Sequence, residues 1–312
     1  MCALFGWLDY KGKISPRLLQ RLTQSLANAA EERGTDASGI SYVRNNRITI
    51  FKRPKPAHKI HFRVPAGTTA VMGHTRLTTQ GNQRFNYNNH PFRGYAGREF
   101  AFAHNGVLYN DRDLRKEKKL PATKIETDSY VAVQLLEQAG KLDFESLKAT
   151  AEAVEGSFAF TLLDEKNTLY FVKGSSPMHL ILFEELGLYV YASTQSIMKH
   201  ALKACGMSRY PYTVIATDTG DILSINRFGN MARDSFRTFS FERFQHPYTF
   251  SAYDLEEDET ELDTILEMCT CFGVDPDAVM ELLDYGYSYD EIEELLMYPS
   301  MLQEELNACS EW

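Results

Sequence analysis

The stretch MCALFGWLDY, residues 1–10, decides how the rest of the chain is read. Its alternating, largely apolar residues from Cys2 to Leu8 predict a strand that carries a thiol at its tip. With Met1 removed, Cys2 becomes the first residue, and one residue then holds both a nucleophilic sulfur and a free α-amine. An α-amine titrates near ~7.7 to 8.0 and a thiol near ~8.5, so at neutral pH the amine can take the thiol proton directly or through a water. Any short residue can follow Met by chance, so the reading rests on segments further along.

Working outward, SPRLLQRLTQSLANAAEE (15–32) has apolar residues at helical spacing, with Ser15 placed to cap and Pro16 at the first helical position. ASGISYV and NRITIFKR predict two strands joined at Asn45 and Asn46, residues that tolerate the positive φ of a hairpin turn. TTAVMGHTRL and EFAFAHNGVLYN predict strands ending in polar loops. Thr127 to Gln138 predicts a helix that starts at Thr127 or Asp128, with Gly140 past its end. GSFAFTLLD, TLYFVKG, HLILFEE and LGLYVYAS follow as short strands. Two antiparallel sheets packed face to face, with helices outside, bury this many apolar faces, which places the chain in the α+β class.

Composition narrows the setting. Hydrophobic content of 44% and charged content of 24% predict a soluble globular chain with a sizeable core. No apolar run long enough to span a membrane occurs, and the N-terminus lacks a basic-then-apolar secretory pattern. Five scattered cysteines argue for reduced thiols, and a cytoplasmic address is expected. The net charge of −9 is unevenly spread: Asp254 to Trp312 holds 19 acidic and no basic residues, leaving 23 acids against 33 bases before it. That asymmetry predicts a body at 1–250 and an acidic tail at 251–312, which docks on the basic body or on a basic partner. Short helices are expected at 260–272, 276–285, 289–297 and 300–308, with Leu282, Leu283, Ile292, Leu295 and Leu296 as a small core. The bases of the body are dispersed, so nucleic acid is not the expected partner. Cys269 and Cys271 lack further nearby ligands, so neither a metal nor a cofactor is expected.

Four further segments carry chemistry. GHTRLTTQG (73–81) sets Arg76 at a strand end, followed by Thr78 and Thr79, where a planar guanidinium can grip a carboxylate in bidentate fashion. FAHNGVLYN (102–110) places Asn105 and Gly106 together; a side-chain amide and a turned backbone N–H make a two-donor cradle for an oxyanion, although Asn-Gly also suits a plain hairpin turn. Asp128 in ETDSYVAVQ suits either an N-cap or an ammonium group. ERGTDASGI (32–40) reads as a glycine-bearing turn beside them. A nucleophile with its own base, a cation for a carboxylate, an anion for an amine and oxyanion donors fit an α-amino acid with a side-chain amide, and glutamine is the predicted substrate.

In their order and spacing, Cys2 with its strand, ERGTDASGI, GHTRLTTQG, NNHPF, AHNGVLYN, the Asp128 segment and EGSFAF resemble class II glutamine amidotransferases over roughly residues 2–200. The resemblance implies a four-layer αββα sandwich of the N-terminal nucleophile hydrolase type and hydrolysis of glutamine through a Cys2 thioester. It implies Asn105 and Gly106 at the oxyanion, Arg76 and Thr79 at the substrate carboxylate, Asp128 at its amine, and His90 in the lining of the site. Ala3 stands where the family usually has Gly, Leu77 where it has an aromatic residue, and Gln80 where His is common.

Too few residues follow the match for a synthetic domain, and no GxxxxGK or GxGxxG run appears, so the ammonia acceptor is expected on another chain. Two other readings compete: an N-terminal-cysteine amidase for other linear amides, which needs no paired carboxylate and ammonium contacts, and a non-catalytic glutamine-binding scaffold.

Overall fold

The computed structural model describes residues 2–238 and, beyond them, 262, 265, 266, 268, 269, 274–284, 287, 289–296, 302, 303, 305 and 306. Two compact units divide the chain, Met1–Glu242 and Arg243–Trp312.

The first unit is built on two antiparallel sheets. One holds β1 (Ala3–Asp9), β2 (Ala37–Arg44), β3 (Arg47–Arg53), β4 (Ala70–Arg76), β9 (His179–Phe183), β10 (Leu188–Ala192) and β11 (Thr213–Ile215), in the order β11-β9-β10-β1-β4-β2-β3. The other holds β5 (Phe92–Tyr95), β6 (Glu99–Leu108), β7 (Gly156–Asp164), β8 (Leu169–Lys173), β12 (Asp221–Ile225) and β13 (Met231–Ser235), in the order β13-β12-β8-β7-β6-β5.

Alternation along the strands sorts the side chains into layers. From β1, Phe5 and Trp7 pack with Leu22 and Leu26 of α1 (Pro16–Ala29) and Leu202 of α5 (Gln195–Cys205). From β6, Phe100 and Phe102 join Val133 of α3 (Tyr130–Ala139) and Leu147 of α4 (Phe144–Ala153). The opposite parity, Leu4, Leu8, Met72, Ala101, Ala103 and Ala159, fills the layer between the sheets. Helices thus cover the outer faces of both sheets, and Phe171 and Tyr191 fill the layer between the sheets beside the alanines, which gives the four layers αββα. Each fully buried Phe or Leu contributes about 1.5–3 kcal/mol.

Continued to the strand ends, the same parity aims the chemistry inward. Cys2 follows Leu4, His74 and Arg76 follow Met72, and Asn105 follows Ala103. All four point into the interlayer at one end of the sandwich.

Local signals act as the sequence predicts in several places. The Ser15 hydroxyl accepts from Leu18 N at 3.3 Å and Pro16 opens α1. Asn45 and Asn46 adopt φ of 52° and 56° in the turn between paired Arg44 and Arg47. Gly140 closes α3 in the left-handed region. Two expectations are corrected. Asp128 caps no helix, because α3 begins at Tyr130 with Ser129 in the cap position, and its carboxylate is engaged elsewhere. Asn105 and Gly106 form no hairpin turn, since both lie within β6 and pair with Ala159 and Phe158. The sequence reading passes over helices α2 (Asp111–Glu117), α4 and α5 and strands β5 and β11–β13.

In the second unit, α6 (Pro276–Asp284) and α7 (Tyr289–Leu296) contribute Val279, Leu282, Ile292, Leu295 and Leu296 to one cluster with Ile265, Cys269 and Leu302, and Leu283 packs against it. The helices expected at 260–272 and 300–308 fall largely outside the described residues, as does Cys271. Among the described residues, no helix is long and apolar enough to cross a membrane, and no cluster of metal-ligating side chains occurs.

Candidate active site

Cys2 sits at the head of β1, where pairing of Ala3 with Thr75 brings it beside Arg76 at the end of β4. Its sulfur is partly buried and makes one weak contact, to the Leu77 carbonyl at 3.5 Å, while the Cys2 carbonyl accepts from Arg33 Nε at 3.1 Å. Burial pushes the thiol up, and the nearby Arg76 cation offsets part of that rise. A thiol held up in this way needs a base at hand before it can attack.

Arg76 is 2% exposed. Its Nη1 donates to Asn89 Oδ1 at 2.7 Å, and its Nη2 donates to the carbonyls of Gln80 and Gly81. The loop 77–89 is thereby wrapped around the guanidinium. Of five donors, Nε–H and one Nη1–H are left, and these lie on different edges of the plane. The bidentate grip expected from the sequence is therefore already taken by the protein. Thr79 is exposed on the same loop.

Asn105 presents the opposite case. It is 1% exposed, and neither its side-chain nitrogen nor its oxygen has a hydrogen-bond partner among the described residues. Gly106 adopts φ of 129°, and a Cβ there would lie 2.0 Å from the Ser157 carbonyl, so only glycine fits. Asp128, also buried, accepts from Leu108 N at 2.7 Å and from Ser129 Oγ at 3.3 Å. Its charge lies within electrostatic reach of both Cys2 and Arg76.

His90 is buried against His74, with ring centroids 4.2 Å apart, and neither of its nitrogens has a partner. Burial, followed by the fields of His74 and Arg76, holds it well below the usual imidazole range, so it is neutral. One cleft, of about 570 Å³ and lined among others by Asn46, Lys166, Asn167, Thr168, Asn226 and Phe228, belongs to turns at the other end of the sandwich.

A model of the glutamine amidotransferase domain family matches residues 74–199. The glutamine–fructose-6-phosphate aminotransferase of Staphylococcus aureus is 34% identical over 193 residues, covering 58% of this chain and 30% of that protein. The corresponding enzyme of Staphylococcus epidermidis is 32% identical over 187 residues, with 57% and 30% covered. The chain carries a class II glutamine amidotransferase domain.

Two solved structures support the fold of this amidotransferase domain. Glutamine phosphoribosylpyrophosphate amidotransferase from B. subtilis, complexed with ADP and GMP, superposes with a TM-score of 0.58 at 22% identity, covering 76% of this chain and 49% of that one. A structure described as the allosteric regulatory enzyme of purine biosynthesis gives 0.58 at 20%, with the same coverage. Both comparisons agree with the two-sheet sandwich described above. The chain spans about 30% of the length of the aminotransferases it matches.

Sequence reasoning missed the residues that hold this candidate site in shape. Asn89 orients Arg76, and Glu126 accepts from Asn88 Nδ2 at 2.7 Å and from Asn82 N at 3.2 Å. Gln80, one of the departures from the family pattern, donates to the Glu126 carbonyl at 2.9 Å. His74 Nε2 lies 2.9 Å from the His104 carbonyl. A buried polar residue two places before Arg76 on an apolar strand was the available signal for His74.

Proposed function

We propose that the first unit hydrolyses the side-chain amide of L-glutamine and passes the ammonia to an acceptor enzyme on another chain. With Met1 removed, the Cys2 sulfur attacks the amide carbon while its α-amine takes the thiol proton. The oxyanion is held by Asn105 Nδ2 and the Gly106 backbone N–H. As the C–N bond breaks, the proton passes to the departing ammonia and a thioester remains; water then cleaves it, giving glutamate and restoring the thiol. Asp128 pairs with the substrate ammonium and Arg76 with its carboxylate, Thr79 lies close by, and neutral His90 lines the pocket. Since the loop already engages Arg76, the guanidinium acts first through its charge and gains direct contacts as loop carbonyls are exchanged for substrate oxygens.

One observation carries this reading: a buried carboxamide with no partner, facing the sheet that carries Cys2. An unmet buried donor costs about 1–3 kcal/mol, and an oxyanion supplies the acceptor it lacks. The acidic second unit, which follows the boundary read near residue 250, is proposed to engage a basic surface on the acceptor or on its own body. The test is incubation of mass-checked protein lacking Met1 with glutamine, with asparagine as control. Glutamate and ammonia from glutamine alone are expected; no release from either, or release from both alike, overturns the assignment.

A further inference from the structure

Cys2 and Arg76 belong to one sheet, Asn105 and Gly106 to the other, and the layer between them is mostly hydrocarbon. Apolar packing of residues such as Met72 and Ala103 in one cluster holds two sheets together without fixing their offset, because hydrophobic attraction is not directional. A hydrogen bond does fix it, within a few tenths of an ångström. One such bond lies at the site: His74, on β4 two residues before Arg76, reaches across the layer to the carbonyl of His104, on β6 immediately before Asn105, at 2.9 Å. Strand β5 begins at Phe92, opposite Phe102, so its pairing with β6 stops short of this carbonyl.

We infer that His74 is a positioning residue, whose imidazole sets the separation between the sheet that carries the nucleophile and the strand that carries the oxyanion donors. This deepens the glutaminase reading and rests on it. The carbonyl acceptor requires Nε2 to carry the proton. Burial, reinforced by the fields of Arg76, His104 and Lys52, pushes the His74 pKa down to about 3, so the ring stays neutral with a single N–H across the working pH range. Its Nδ1 has no hydrogen-bond partner, so the bond to His104 is the ring's one polar attachment among the described residues. The His104 ring is tied separately, through Nδ1 to Ser129 Oγ at 2.7 Å, which anchors the far side of the same peptide. A fixed post thus stands on each side of the peptide that leads into Asn105.

The test compares substitutions that keep or remove the donor. His74→Phe keeps the ring and loses the N–H; His74→Gln puts an amide N–H near the position of Nε2. If the bond sets the geometry, His74→Phe lowers kcat for glutamine hydrolysis by about 10²-fold, the scale of a ~1 Å misplacement, and leaves KM within about twofold. His74→Gln recovers most of the loss. His74→Asn, whose N–H sits at the Nδ1 position instead, remains as impaired as His74→Phe and serves in its place if that variant does not fold. Unchanged kcat in His74→Phe, a loss confined to KM, or His74→Gln no better than His74→Asn would overturn the inference. Hydrogen exchange separates it from the glutaminase reading: even in protein that turns over no glutamine, exchange at the Asn105 and Gly106 amides should rise in His74→Phe and not in His74→Gln. Equal exchange in both variants counts against the clamp itself.

Discussion

Arg76 and Asn105 are two buried polar side chains of one site, and their protein partners differ completely. Arg76 donates to a side chain and two carbonyls of the loop it supports. Asn105 has no hydrogen-bond partner at either end of its carboxamide. In the proposed mechanism the first group, satisfied by the fold, gives something up when substrate arrives, and the second, left idle by the fold, gains when charge develops on the substrate. Interactions that strengthen only in the transition state raise kcat, whereas those already made hold the architecture. The two residues should therefore separate when catalysis and stability are measured side by side.

The largest effect is expected outside the pair, at the group both serve. Cys2→Ala removes the nucleophile and should lower kcat by ~10⁴–10⁶-fold, the range for losing such a group. Because the Cys2 sulfur makes only the weak contact to Leu77 and the backbone bond from Arg33 survives the substitution, the melting temperature should hardly change, and glutamine should still bind. Residual turnover within tenfold of the parent would remove Cys2 from the mechanism.

Asn105→Leu comes next. Losing one oxyanion donor typically costs about 10²–10³ in kcat. Replacing an unpaired buried amide with an isosteric apolar group should leave stability unchanged or raise it. A variant that loses both activity and stability would mean that Asn105 is structural and the comparison with Arg76 fails.

Arg76→Met should show the reverse balance. Each acceptor stranded by its loss costs about 1–3 kcal/mol, so the melting temperature should drop clearly, while the glutamine KM rises by ~10–10²-fold and kcat falls less. A KM effect with no loss of stability would show that the loop does not depend on the guanidinium, contrary to the bonds seen to Asn89, Gln80 and Gly81.

The difference between the two residues also marks what the sequence revealed. Alternation along CALFGWL, TTAVMGHTRL and EFAFAHNGVL was enough for strands, sheets and inward-facing chemistry, because period-2 patterning is a local property. Cys2, Arg76 and Asn105 were legible as candidate residue types in order, and the structure sets Cys2 beside Arg76 and buries Asn105. What was not legible was how each is satisfied: Arg76 depends on carbonyls and on Asn89 in a loop without periodicity, and Asp128 turns toward Leu108 instead of capping α3. His74 was hidden inside a motif read for Arg76. Such cross-sheet bonds join positions thirty residues apart and leave no spacing signature.

The smallest effect tests the support beneath Arg76. Lys52, on β3, donates to the carbonyls of Asn89 and Pro91 with its ammonium 5.1 Å from the Phe92 ring centre, and Asn89 in turn orients Arg76. Burial, with a smaller contribution from Arg76, pushes the Lys52 pKa down to about 8. An unfolded lysine titrates near ~10.4, so between about pH 8 and ~10.4 the unfolded chain holds a proton that the folded protein releases. Stability therefore rises with pH across that window, and below it the cost of a buried charge is present in full. Lys52→Met removes the group, so the stability of the parent relative to the variant should be flat below pH 8 and grow by about 1–3 kcal/mol by pH 10, read from urea midpoints. The same difference at both pH values would mean that Lys52 is effectively solvated. The carbonyls of Asn89 and Pro91 would then hold no desolvated cation, and the ordering of Arg76 would rest on its own bonds alone.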